Sequence, residues 1–340
     1  MKVLFLHSNR VDYLSEGLFH GLRVLLGENC VDVPRHDSMY APLTDSFRSR
    51  LRGGGFTLYG LLEDIPELAE ARYFWEIDLD SYDLIVIANI WEQWQLFEKL
   101  SSRVKPEKLA ILDGQDPPPI FPYSYSNFLK RPWLLFTKIS QFKYFKREMF
   151  NGVYSRKLDQ FLPPQLHEWI PDPKNIIPIS FSIPEEKIWE EKHNSKIKDF
   201  PVYMVDKEVA SNISESVFSD IRSDNYCFFS EEEYYLDLRQ SRFGITTKRG
   251  GWDCLRHYEL AANGCVLCFR DLDLKPKNCA PHGLNESNCI IYHNYQELIE
   301  KTSSLTTEEY LQLQEASYQW IKINSTKVRA KEFLQACSEF

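Results

Sequence analysis

Short apolar runs that stop in small polar residues recur along this chain, with helix-patterned stretches between them. This alternation restricts the fold more than any other feature. "KVLFLH" comes first, then the helical "SEGLFHGLRVLLG" and a strand near "CVDVP". "YDLIVIAN" is an unbroken apolar run, and "KLAILDGQDPPP" breaks at Asp113-Gly114, with "EQWQLFEKLSSR" as the helix between them. A strand that is apolar on both faces has to be covered on both, as parallel strands flanked by helices are. "WLLFTKI" and "NIIPISFSI" read as two further strands. The series predicts an α/β fold with a doubly wound parallel sheet.

The pattern breaks at "SFSIPEEK", around Ser180 to Lys187, and then restarts. "PVYMVDKEV", "YCFFS", "RFGITT", "CVLCF" and "NCIIYH" read as strands, and a helix follows Trp252. Asn294 with Glu297, and Thr306 with Glu309, are capping-box patterns for two late helices. A chain of 340 residues is long for one core and suits two. The expected division is 1–180, 187–322 and a last helix in 323–340 that can cross back to the first unit. Two such sheets face each other across a cleft, and ligands bind beyond the carboxyl ends of their strands.

Residues just after strands are therefore the candidates: His7, Asn89, Asp113, Asp116, 248–253 and 270–273. The richest stretch is "KRGGWDCLRHYELAANGCVLC", residues 248–268. Gly250 and Gly251 permit a tight turn and close backbone approach. Asp253 is a good N-cap, which starts a helix at Cys254, and Asn263-Gly264 stops it. A helix N-terminus attracts phosphate, and Lys248 and Arg249 add full charge there. Glu259 lies about 9 Å further along the axis, at 1.5 Å per residue, where a carboxylate can accept hydrogen bonds from sugar hydroxyls. Cations at the mouth and a carboxylate deeper in fit a nucleoside diphosphate with its ribose. The competing reading is a solvent-facing Arg256–Glu259 pair on a surface helix.

Eight cysteines are scattered without framework spacing, which points to reduced thiols in a cytoplasmic protein. Cys265 and Cys268 fall on opposite faces of a strand, so core thiols are expected rather than a metal site. Cys254 at a helix start is a remote nucleophile candidate without an identifiable base. Net charge is −9, which argues against a general nucleic-acid binder. No run approaches the roughly 20 apolar residues of a membrane span.

"RGGWDCLRHYELAANGCVLCF", followed by "RDLD" and Pro276, resembles the C-terminal donor-binding domain of GT-B glycosyltransferases, closest to the bacterial spore-coat CgeB-like group. Exostosins and fucosyltransferases share a related passage. The resemblance implies two Rossmann-like domains across a cleft and a nucleotide sugar as donor substrate, with no other cofactor and no essential metal. Glu259 would hold the donor ribose, with Lys248, Arg249, Gly250, Gly251 and Arg256 about the diphosphate. Asp271 and Asp273 would reach donor-sugar hydroxyls. Many retaining members carry two glutamates eight positions apart here, whereas Gly251 stands eight before Glu259; stereochemistry stays open.

The first half would then hold the acceptor, a polysaccharide, glycolipid or secondary metabolite. Asp113, Asp116 and His7 are the candidates for a base that deprotonates its hydroxyl. "LRGGGFTLYG" is either an acceptor loop or an ordinary surface loop. Residues 130–157 carry eight Lys/Arg against Glu148 alone, interleaved with aromatics. That suits peripheral membrane contact or a solvated helix face. Two other functions remain open: a non-catalytic nucleotide-sugar-binding or scaffold protein, and a nucleotide-sugar epimerase.

Overall fold

A computed structural model describes residues 1–117, 119–149, 176–191, 196–213, 216–218 and 227–338. The first half supplies six strands: β1 (Val3–Leu6), β2 (Cys30–Val33), β3 (Leu84–Ile87), β4 (Leu109–Asp113), β5 (Lys143–Lys146) and β6 (Ile176–Pro178). They form one parallel sheet in the order β2-β1-β3-β4-β5-β6. The unbroken apolar runs have a direct consequence. Val3, Phe5, Val86 and Leu112 enter the core on one face, and Leu4, Leu6, Ile85 and Ile111 enter the core on the other.

The second half supplies β7 (Tyr203–Met204), β8 (Val217–Phe218), β9 (Phe243–Thr247), β10 (Val266–Arg270) and β11 (Cys289–Tyr292). The last three form a parallel sheet in the order β11-β10-β9, and β7 pairs with β8. Cys268 packs in the core on one face of this sheet, and Cys265 and Leu267 in the core on the other. The latter core is continuous with Val3, Phe5 and Leu112 of the first sheet, so one apolar body joins the two halves.

Four local expectations differ from the structure. "WLLFTKI" is not a strand: Pro132 opens a 3-10 turn over Pro132–Phe136, because its fixed φ suits a helical first turn. The strand comes later, at β5. "PVYMVDKEV" gives only a two-residue strand, since Asp206 accepts from the N–H groups of Glu208 and Val209 and starts a helix over Lys207–Asn212. Residues 227–230 of "YCFFS" are not a strand; Ser230 caps the helix Glu231–Gln240 instead. Of the two capping boxes, Thr306–Glu309 is complete. Asn294 accepts from the Glu297 N–H, but the Glu297 carboxylate turns to the N–H of His293.

The last helix, Thr326–Ser338, lies against the first, Tyr13–Leu26. Gly21 makes the contact possible: a Cβ there would stand 2.0 Å from the Thr326 carbonyl oxygen and 2.9 Å from the Ala330 Cβ.

Candidate functional site

The helix after β9 runs over Leu255–Ala262. Its N-cap is Cys254, in extended conformation, one residue beyond the Asp253 read from the sequence. Asp253 is unavailable as a cap because its carboxylate accepts from the Phe181 N–H at 2.8 Å and the Tyr258 hydroxyl at 2.9 Å. Burial pushes its pKa up. No side chain caps the helix start, and the first turn holds no acid. Cys254 is half-buried, and burial raises its thiol, which removes the driving force for a nucleophilic thiolate. His257 is fully buried between the Thr246 hydroxyl at 2.6 Å and the Trp252 carbonyl at 2.8 Å. These partners assign its proton to Nε2. Burial brings its pKa down to about 3, so the ring is neutral.

The Lys248–Gly251 turn meets residues from the end of β5 and from the loop after β4. A Cβ on Gly250 would stand 2.2 Å from Asp116 Oδ2, and one on Gly251 would stand 2.3 Å from Glu148 Oε1 and 2.8 Å from Asp116 Oδ1. The sequence reading gave these glycines to phosphate approach; in the structure they admit two carboxylates of the first half. Arg147, fully buried, ties the junction. It donates to the Gly114 carbonyl at 3.0 and 3.1 Å, to the Asp253 carbonyl at 2.9 Å, to Glu148 Oε1 at 2.8 Å, and to Asp116. Glu148 Oε1 also accepts from the Asp253 N–H at 3.0 Å. Its carboxyl is raised by burial. Lys248 is exposed, with its ammonium 5.3 Å from the Trp252 ring centroid, and Arg249 is half-buried.

Glu259 is 5% exposed, so the solvent-facing alternative does not hold. Its Oε2 accepts from the Tyr234 hydroxyl at 2.7 Å, and its Oε1 from the Thr57 hydroxyl at 2.5 Å. Thr57 belongs to the glycine-rich stretch of the first half, so that stretch is not an ordinary surface loop. Arg256 does not pair with Glu259 at the mouth; its guanidinium lies 4.7 Å from the Tyr203 ring centroid and 5.8 Å from that of Tyr234.

The three base candidates separate. Asp113 is wholly buried, holding Lys146 Nζ at 3.1 Å and accepting from the Tyr144 hydroxyl at 2.5 Å. These partners close it off from solvent. His7 is 4% exposed and stacks on His36 with centroids 4.6 Å apart. Burial, then His36, holds its pKa well below the usual value. Asp116 keeps about half its side chain in solvent and reaches the Gly250–Gly251 turn. Asp271 sits after β10 in a left-handed conformation (φ 58°), with His293 Nδ1 2.8 Å from its carboxylate. Asp273 lies 3.9 Å from the same nitrogen.

Within 130–157, Lys143, Lys146 and Arg147 are buried, which removes them from any solvated basic face. Trp133 and Phe136 are more than half exposed. Residues 150–157 lie outside the described residues. Among the described residues no group of three or more His, Cys, Asp or Glu is placed to hold a metal ion, and no helix is long and apolar enough to cross a membrane.

No protein-family model matches the sequence, and no curated protein does. Solved structures match over the full length. A glycosyltransferase from Rickettsia africae is 13% identical with a TM-score of 0.53, covering 99% of this chain and 98% of its own. The trehalose-6-phosphate synthase OtsA is 10% identical with a TM-score of 0.55, covering 100% and 99%. Anabaena HepE, solved with UDP and glucose, is 10% identical with a TM-score of 0.52, covering all of both chains. The fold is GT-B. At these identities the likeness establishes the GT-B fold and no more.

Sequence reading missed Thr57, Tyr234, Arg147 and Glu148. Arg147 and Glu148 follow β5, which begins ten residues after the strand expected at "WLLFTKI", so nothing in the sequence marks them as strand-end residues. Thr57 carries no motif; only the neighbouring glycines marked its loop.

Proposed function

We propose that this GT-B chain is a metal-independent glycosyltransferase that takes its sugar from a nucleotide donor held by the helix Leu255–Ala262. The observation that carries the reading is the Glu259 carboxylate, buried on the helix that follows β9 and bonded to hydroxyls. A carboxylate that accepts from hydroxyls in a desolvated site has the chemistry to hold ribose. The start of this helix, where Cys254 is the N-cap and the first turn holds no acid, with Lys248 and Arg249 beside it, suits the diphosphate. As the bond to the donor sugar breaks, positive charge there stabilises the leaving diphosphate without a metal. Residues 187–322 form the donor side of this scheme and 1–180 the acceptor side. Asp116, which reaches the turn from the first half, takes the acceptor's proton. Asp271 reaches the donor sugar.

The finer placement among CgeB-like enzymes, a cytoplasmic location and a polysaccharide, glycolipid or secondary-metabolite acceptor belong to the same proposal. So does peripheral membrane contact through residues 130–157, where Trp133 and Phe136 are exposed. A non-catalytic binding protein is the second reading, favoured by the existing occupation of both Glu259 oxygens and by the burial of His7 and Asp113.

A thermal-shift screen against nucleoside diphosphates and nucleotide sugars tests the first reading, since a ligand of the folded state raises Tm. A rise with one nucleotide sugar, together with its slow hydrolysis, is expected. Binding without hydrolysis or transfer to any acceptor favours the second reading. Sugar interconversion without an acceptor would make it an epimerase, and no shift with any nucleotide would remove the donor site.

A further inference from the structure

We propose that the loop of residues 53–60 is a built-in occupant of the ribose position, and that a nucleotide donor binds by displacing it. This rests on Glu259 as the ribose carboxylate. Thr57 offers two adjacent donors to two carboxylates: its N–H to Glu231 Oε1 at 2.6 Å and its hydroxyl to Glu259 Oε1 at 2.5 Å. A ribose diol would present two neighbouring O–H donors in the same way. The Thr57 hydroxyl also lies 2.8 Å from that of Tyr235. Beside it the Phe56 ring lies nearly parallel to Tyr234, with centroids 6.1 Å apart and planes at 21°. Phe56 and Thr57 are 6% and 1% exposed.

The loop is built to be held and released. Thr57 sits at φ 69°, a left-handed conformation that is costly for a β-branched residue and persists only where contacts over-determine it. Gly53, Gly54, Gly55 and Gly60, all at positive φ, flank it with backbone that changes conformation at little cost. The base of the loop is anchored in the first half: Tyr59 donates to Glu16 Oε2 at 2.9 Å, and the Leu62 N–H donates to the Met39 carbonyl at 2.9 Å. The tip crosses to the second half at Thr57, where it takes hydrogen-bonding capacity on both carboxylates. An arriving nucleotide competes with it, and its apparent affinity falls by the fraction of molecules with the loop docked.

The test uses the full chain, with UDP, GDP and ADP as calorimetric probes. Thr57→Ala removes the hydroxyl but keeps the strained φ, so undocking is favoured. Its far-UV circular dichroism and Tm establish that it is folded. The nucleotide that binds wild type is expected to bind Thr57→Ala roughly tenfold more tightly, the worth of one charge-assisted hydrogen bond. Glu259→Gln is expected to weaken both. Binding seen only with Thr57→Ala supports the inference too. An unchanged or weaker Kd in Thr57→Ala, with Glu259→Gln still weakening binding, overturns the inference and leaves the donor site standing. Absence of binding in wild type and in folded Thr57→Ala overturns both. Hydrogen exchange gives an independent readout: nucleotide is expected to speed exchange at residues 53–60, whereas protection there would contradict displacement.

Discussion

Glu259 and His257 stand two residues apart on one helix and are buried for different reasons. His257 fastens the strand-to-helix turn: its ring bridges the Thr246 hydroxyl on β9 and the Trp252 carbonyl. Its pKa, about 3 in the fold against an ordinary 6.5, makes the bridge sensitive to acid. Above pH 6.5 the ring is neutral in both states and the bridge contributes fully. Below 6.5 the unfolded chain takes up a proton that the folded ring refuses, so stability falls by up to about 1.4 kcal/mol per pH unit. Urea unfolding from pH 7.5 to 5 is expected to show the advantage of wild type over His257→Gln shrinking below pH 6.5. A constant difference would mean that the ring does not titrate on unfolding. Glu259, in contrast, is bonded by hydroxyls that ligand hydroxyls can replace.

At the scale of elements, the glycine turn decides how closely the halves meet. Gly251→Ala drives a Cβ into two carboxylates, one of them on the fully buried Glu148. A loss of about 1–3 kcal/mol is expected by thermal or urea unfolding. Gly250→Ala is expected to cost less, because the Asp116 side chain it meets is half exposed and can swing away. Gly21→Ala should also destabilise despite alanine's helix preference of about 1 kcal/mol, since it meets the Thr326 backbone. Equal or raised Tm values would contradict these contacts.

Elements were legible in the sequence where one physical signal dominated. β1, β3, β4 and β10 are apolar on both faces, and burial as covered strands follows from that. Short edge elements, β7 among them, were not legible, because capping by Asp206 outweighs strand pattern over so few residues. Within the site, Glu259 could be read from its distance along one helix. Thr57, Arg147 and Glu148 could not, because Thr57 reaches Glu259, and Arg147 and Glu148 reach Asp253, through tertiary contacts more than 100 residues apart in sequence.

Across the whole molecule, Arg147 joins the ends of both parallel sheets. Its guanidinium serves Gly114, Asp116 and Glu148 on one side and the Asp253 carbonyl on the other, 4.5 Å from the Phe181 ring centroid. Arg147→Met strands these acceptors and is expected to cost about 3–5 kcal/mol in urea unfolding. Lysine, a point charge without the planar fork, should rescue little of it. A variant as stable as wild type would show that the junction is held by the shared apolar core alone.

The proposed donor site rests on Glu259 as the carboxylate that holds the ribose. Calorimetric titration of wild type and Glu259→Gln with the best-binding nucleoside diphosphate and its 2′-deoxy analogue tests this directly. Wild type is expected to prefer the ribonucleotide by about tenfold or more, with the preference lost in Glu259→Gln because the charged acceptor is gone. Equal affinity of wild type for the two nucleotides, or a preference that survives Glu259→Gln, would contradict the claim.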